Sequence, residues 1–310
     1  MKKPADNAKY NILVIAESCA DIIFTGLKKV PSPGEEEYSD GLVVRVGGGA
    51  NTAYMLSKLG IRTALLTNIG KDFFGKFMSG ILIEAGVDLI CSKNSSSTSV
   101  TAVMTVGGDR AFASYSENRF KLAGNEITST INTLFHDPFS IKIIHSCLYC
   151  SSAFDLPRIA REHNALLSVD AGWGFFPRGE ELKKLLDGVW TLKMNKAEAR
   201  ELSGEQVPEK MLGFFSNMCP NVIITLGMDG CMALMDGEIY TAEAPPVTVV
   251  DTTGAGDAFA SGWLNGYTEG LRGQKLINRA CAAGSHCVTL VGGTDPGFSR
   301  KSVLELAGEA

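Results

Sequence analysis

The 310-residue chain has no long apolar run. Its N-terminal segment offers only ILVIA before Glu17, and no stretch approaches the ~18 residues that span a bilayer. ILVIA is also too short for the core of a signal peptide, so the chain is read as cytoplasmic with no membrane partner. Basic charge is in short supply. Lys and Arg number 29 against 34 Asp and Glu, the formal net charge is −5, and no Lys/Arg-rich stripe occurs. That balance excludes a nucleic-acid partner, because nothing offsets phosphate repulsion. Of only four histidines, His136, His145 and His163 show no metal-ligand spacing. Three catalytic signatures are missing as well. Without G-x-x-x-x-G-K-S/T there is no P-loop; no G-x-G-x-x-G follows the first apolar run, which disfavours a dinucleotide enzyme; no G-x-S-x-G points to a hydrolase.

What is present is ordinary globular composition, 45% hydrophobic and 20% charged. Eight cysteines lie mostly in apolar segments, which suits reduced core thiols. The Cys147–Cys150 pair matches C-x-x-C but is placed at a strand end rather than a helix start, so packing is preferred over redox chemistry. Val/Ile/Leu-rich runs (NILVIAE, RTALLTNIG, VDLICS, IKIIHSC, ALLSVDA, VWTLKMN, NVIITLG) alternate with amphipathic stretches such as ANTAYMLSKLG and EELKKLLDG. That rhythm predicts an α/β fold, a mostly parallel sheet covered by helices on both faces. Ligands of such sheets bind beyond the carboxyl ends of the strands. At 310 residues a single domain over 1–310 is expected, near the size at which one core stops growing. Two stretches break the rhythm, about 22–46 and about 98–116. They are read as strands of a small β lid, the second a hairpin turning at Gly107 to Asp109. A further hairpin turns at Asp236-Gly237 and edges the main sheet.

The most informative segment is DTTGAGDAF, Asp251 to Phe259. The apolar run PPVTVV before it is read as a strand, and AFASGWLNGY after it as a helix. Glycines let backbone N–H groups approach an anion, and a helix N-terminus adds partial positive charge. Gly254, Ala255 and Gly256 therefore form a candidate anion hole. Asp257, in the first helical turn, is a candidate base for a hydroxyl that meets an arriving phosphoryl group. An acid in a first turn is also a common helix stabiliser, so the ordered motif carries the argument and not the residue alone. Residues 47–51, GGGAN, make a second glycine turn between strand and helix. There Gly48, Gly49 and Asn51 offer backbone and amide partners to sugar hydroxyls.

These two motifs, in this order, resemble the signatures of the ribokinase-like (PfkB) family of carbohydrate kinases, and the resemblance runs from about Asn11 to Gly297. It implies a three-layer α/β/α domain with a β lid, through which members often form homodimers. It implies ATP-dependent phosphorylation of a primary hydroxyl on a sugar, or alternatively a nucleoside; a non-catalytic sugar binder is the remaining reading. Asp21 falls where the family holds substrate hydroxyls, and Arg110 and Phe112 are candidate lid contacts. Asn195 to Glu198 stands where the family carries Asn-x-x-Glu, with Glu198 near Mg²⁺ through water; the same residues also spell a helix capping box. Thr225, Gly227 and Gly230 would border the nucleotide, and His286 its adenine. Asp251 and the backbone carbonyls of Thr253, Cys287, Leu290 and Gly292 would hold a monovalent cation such as K⁺.

Overall fold

The computed structural model describes residues 11–91, 97–107, 109–116, 124–136, 141–172 and 174–309. The first third of the chain carries β1 (Asn11–Ile15), β2 (Ser18–Leu27), β3 (Gly41–Gly48), α1 (Gly49–Lys58), β4 (Arg62–Thr67), α2 (Phe73–Glu84) and β5 (Asp88–Cys91). The middle adds β6 (Ser99–Val106), β7 (Asp109–Tyr115), α3 (Gly124–His136), β8 (Ile141–Cys147), α4 (Leu148–Ala153), α5 (Leu156–Glu162), β9 (Leu166–Asp170) and α6 (Gly179–Leu186). The rest comprises β10 (Thr191–Asn195), α7 (Lys196–Ser203), α8 (Pro208–Phe215), β11 (Asn221–Thr225), β12 (Cys231–Met235), β13 (Glu238–Ala242), α9 (Ala255–Thr268), α10 (Gly273–Cys287) and α11 (Arg300–Leu306).

The main sheet has the order β13-β12-β11-β10-β9-β8-β1-β4-β5. It is parallel from β11 to β5, and the β12–β13 hairpin closes one edge antiparallel. Each apolar run of the sequence became a strand because both faces of this sheet are buried. Along β1, Ile12 and Val14 pack into one core with α1 and α9, while Leu13 and Ile15 pack into the opposite core with α4, α5 and α8. The expected three layers are therefore present. Asp236 and Gly237, both with positive φ, make the hairpin turn as expected.

A second sheet, β3-β2-β6-β7, stands apart from the first. Its strands begin at Ser18, four residues ahead of the expected start, and β2 pairs parallel with β6 while β3 and β7 flank antiparallel. Position 108 of the expected Gly-Gly-Asp turn lies outside the described residues.

Two local readings are corrected. PPVTVV forms no strand: Pro245 and Pro246 have no N–H for a ladder, and Val249 and Val250 are exposed. Cys147 ends β8 but also caps α4, its thiol accepting from the Cys150 N–H at 3.5 Å, so the pair does lie at a helix start. The apolar run simply passes from strand to helix without a polar break. All eight cysteines are free thiols.

Candidate active site

The carboxyl ends of β1, β8, β9, β10 and β11 open into a cavity of about 570 Å³. Its wall includes Gly254, Ala255, Gly256 and Asp257 from the start of α9, Gly48 and Gly49, Asn195 and Glu198, Thr225, and Arg110 from the small sheet. Residues spread over more than two hundred positions of sequence are thus brought to one mouth, where a parallel sheet leaves its ligand crevice.

Gly254 caps α9 at φ 80°, a left-handed conformation, and a Cβ there would lie 2.7 Å from the Gly293 Cα. Only glycine fits. The first N–H groups of a helix have no partner within it, so the start of α9 presents donors to the cavity. The expected trio is refined at one point: the Ala255 N–H closes the turn onto the Thr252 carbonyl at 3.3 Å. Gly256 has no unusual φ, but its Cβ would stand 3.3 Å from the Lys193 ammonium.

Asp257 receives two side-chain bonds from α1. Asn51 Nδ2 donates to Oδ2 at 3.0 Å and Thr52 Oγ1 to Oδ1 at 3.2 Å. Burial pushes its carboxyl above the usual range, while the Lys193 charge and the Asn51 bond pull it back down. Asn51 therefore serves the acid directly and does not line the cavity, where a sugar contact was expected. Asp21 sits nearby, buried in β2, and accepts from the Cys19 thiol at 3.1 Å. Burial raises it to about 6, the Cys19 bond opposes, and the Asp257 and Asp251 charges add to the rise. It is not among the residues that line the cavity.

Asn195 and Glu198 form both bonds of a capping box, Glu198 N–H to Asn195 Oδ1 at 2.9 Å and Asn195 N–H to Glu198 Oε2 at 2.8 Å. Both also line the cavity, so both readings of NKAE hold. Burial raises the Glu198 carboxyl, against the Asn195 bond and the Lys193 charge. One carboxylate oxygen is committed to the cap. Among the described residues no group of three or more His, Cys, Asp and Glu is placed to hold a metal ion directly, so Glu198 fits Mg²⁺ only as a single acid acting through the ion's retained waters.

The other nucleotide candidates, Gly227, Gly230 and His286, are not among the residues that line the cavity. Gly227 opens a short 3-10 turn away from the cavity wall, and Gly230 is required because a Cβ would meet the Ala242 carbonyl at 1.9 Å. His286 accepts from the Ser299 N–H at 3.3 Å and stacks on Phe298, outside the cavity. Phe112 is 58% exposed beside Arg110, whereas Arg110 reaches inward and donates to Thr253 Oγ1 at 3.0 Å. The cation candidates, the Asp251 carboxylate and the carbonyls of Thr253, Cys287, Leu290 and Gly292, lie just ahead of α9 and at or beyond the end of α10. Asp251 accepts from the Thr253 N–H and hydroxyl and from the Gly292 N–H, which ties these two segments together. Arg45 fills the space beside Gly292 and Val291, its neighbours of Leu290 in that loop.

Sequence reasoning missed Lys193, Asp170 and Thr52. A lysine in the middle of the five-residue strand TLKMN was the available signal, since buried lysines are nearly always paired. His145, Cys147, Tyr149 and Phe175 also line the cavity and carried no signal beyond apolar context.

A glycine-lined cradle facing a carboxylate at the mouth of a parallel sheet is what phosphoryl transfer to an alcohol requires. The family model for pfkB family carbohydrate kinases matches residues 9–299, and the chain belongs to that family. It is a sugar kinase of that group and a phosphotransferase. A ribokinase of Arabidopsis thaliana is 27% identical over 98% of this chain and 83% of its own. Among solved structures, the A. thaliana ribokinase complexed with ribose and ATP superposes with a TM-score of 0.74 at 22% identity, covering 96% of this chain and 98% of that one. The adenosine kinase of Sinorhizobium meliloti superposes with a TM-score of 0.80 at 21% identity, covering 97% and 100%.

Proposed function

We propose that this protein transfers the γ-phosphoryl group of ATP to a primary hydroxyl of a free sugar, with Asp257 as general base. The observation that carries this is the placement of Asp257: on the cavity wall, in the first turn of α9, next to the Gly254–Gly256 cradle. Asp257 takes the hydroxyl proton as the phosphoryl group arrives, and the N–H groups opening α9 stabilise charge on the transferring oxygens. Mg²⁺ supplies charge neutralisation between ATP phosphates, and Glu198 would hold it through water. The small sheet acts as the lid that excludes water, with Arg110 closing onto Thr253. Exposed Leu42, Phe112 and Tyr115 on that sheet support pairing with a second copy there. A cytoplasmic setting goes with ATP as donor.

A nucleoside acceptor is the second reading. Tyr149 and Phe175 stand edge to face at 5.4 Å on the cavity wall, an aromatic surface against which a base could rest. An ATP-consumption screen against pentoses, hexoses, sugar acids and nucleosides separates the two. Turnover on adenosine or inosine with none on any sugar reverses the order, and no turnover at all favours a non-catalytic binder. Asp257→Asn lowers kcat by about 10²–10⁴-fold while ATP binding, read by calorimetry, persists. Near-wild-type turnover from that variant refutes the assignment.

A further inference from the structure

Lys193 carries a charge where the fold has little room for one. It is 9% exposed, in the middle of β10, whose neighbours Leu192 and Met194 face one core while Lys193 faces α9. Two contacts fix its ammonium. Asp170, its register partner on β9, accepts at 2.8 Å, and the Gly256 carbonyl accepts at 2.9 Å. That carbonyl belongs to the peptide joining Gly256 to Asp257. The absence of a side chain at 256, which would press on the ammonium at 3.3 Å, is the complementary feature on the other side of the contact.

We infer that Lys193, anchored by Asp170, is a positioning residue for phosphoryl transfer: it orients the Gly256–Asp257 peptide at the mouth of the anion cradle and holds the Asp257 carboxylate in place. The inference rests on the reading of Asp257 as the base. An ammonium bonded to that carbonyl stops the first turn of α9 from rotating away from the cavity, and its charge sits beside the carboxylate it aligns. Burial works to lower the Lys193 pKa, but the Asp170 charge and bond hold it above the ordinary lysine value, so the ammonium persists at neutral pH. The other groups facing Asp257 are Asn51 and Thr52 from α1, Asp170 from β9, Glu198 from α7, Asp21 from β2 and Cys287 from α10. Of the groups that shift Asp257, Lys193 is the cation; Arg110, on the same cavity wall, donates to Thr253.

Lys193→Met, Lys193→Arg and Asp170→Asn test this, with the ¹³C carboxyl signal of Asp257 followed against pH in each. Lys193→Met removes the lowering charge and moves the Asp257 midpoint up, whereas Lys193→Arg keeps the charge and leaves the midpoint near its wild-type place. That split is not produced by general damage to the fold, and Asp170→Asn, which releases the anchor, lowers kcat in the same way as Lys193→Met. In turnover, Lys193→Met lowers kcat by about 10²-fold, the scale of a misplaced reacting group, with KM for ATP nearly unchanged, and Lys193→Arg restores most of it. If Lys193→Met does not fold, Asp170→Asn and Lys193→Arg still decide. A midpoint that stays put in Lys193→Met, or a loss confined to KM, overturns the inference. The carboxyl titration needs no acceptor, so it can fail or succeed independently of the sugar-kinase assay.

Discussion

Asp257 lives in competing environments. Burial favours its neutral form, and the lysine beside it, with two hydroxyl and amide donors from α1, favours its charged form. The net direction is upward, so the proposed base ionises above the ordinary carboxylate range. Activity that needs the carboxylate then falls as pH drops through that raised pKa, and the acid limb of a kcat/KM–pH profile stands above the ordinary carboxylate range. A limb within or below that range would place the base elsewhere. The motif DTTGAGD made this residue legible, because a glycine cradle and a first-turn acid are consecutive in the chain. Lys193 was not legible, because its partners come from β9 and α9, and only the sheet register sets Asp170 at its side. Asn51 was singled out by its motif and Asp21 by the family resemblance; in the structure Asn51 bonds the Asp257 carboxylate, and the Asp257 charge adds to the rise of the Asp21 carboxyl.

At the scale of elements, α7 shows how one short sequence meets two demands. Its capping box satisfies the donors at its start and in doing so fixes Glu198 at the cavity. Asn195→Ala is expected to cost about 0.5–2 kcal/mol of stability, read by urea unfolding. An unchanged midpoint would show that the cap is dispensable. Asn-x-x-Glu was visible in the sequence because capping is local. The PPVTVV segment was misread for the converse reason: β-branched residues resemble a strand, but two prolines and the lack of a neighbouring edge leave the backbone outside either sheet, with the Val250 N–H on the Val288 carbonyl. The C-x-x-C pair was misplaced because a strand running straight into a helix leaves no composition break at Cys147.

Across the whole molecule, the small sheet is tied to the C-terminal loop of the main body. Arg45 from β3 donates to the Val291 carbonyl at 3.0 Å and to Asp295 at 2.6 Å, and the Thr294 hydroxyl bridges the Val46 N–H and carbonyl. Charged hydrogen bonds of this kind contribute about 1.5–3 kcal/mol each. Arg45→Ala is therefore expected to speed amide exchange in β2 and β3 by about tenfold or more, with the main sheet unaffected. Equal change in both sheets would mean that the two move as one unit. None of these ties could be read beforehand, since each joins residues some 250 positions apart.

Periodicity alone determined the parallel sheet and its covering helices, because burial on both faces demands continuous apolar runs with helical stretches between them. Local chemistry alone determined the cradle, the acid beside it and the cap of α7, because each needs only a handful of consecutive residues. Tertiary structure decided which charges meet: the ammonium of β10 between β9 and α9, and Arg45 of the small sheet on Asp295 of the C-terminal loop. Pairing of buried charges depends on register and chain return, and those become defined only when the whole fold has closed.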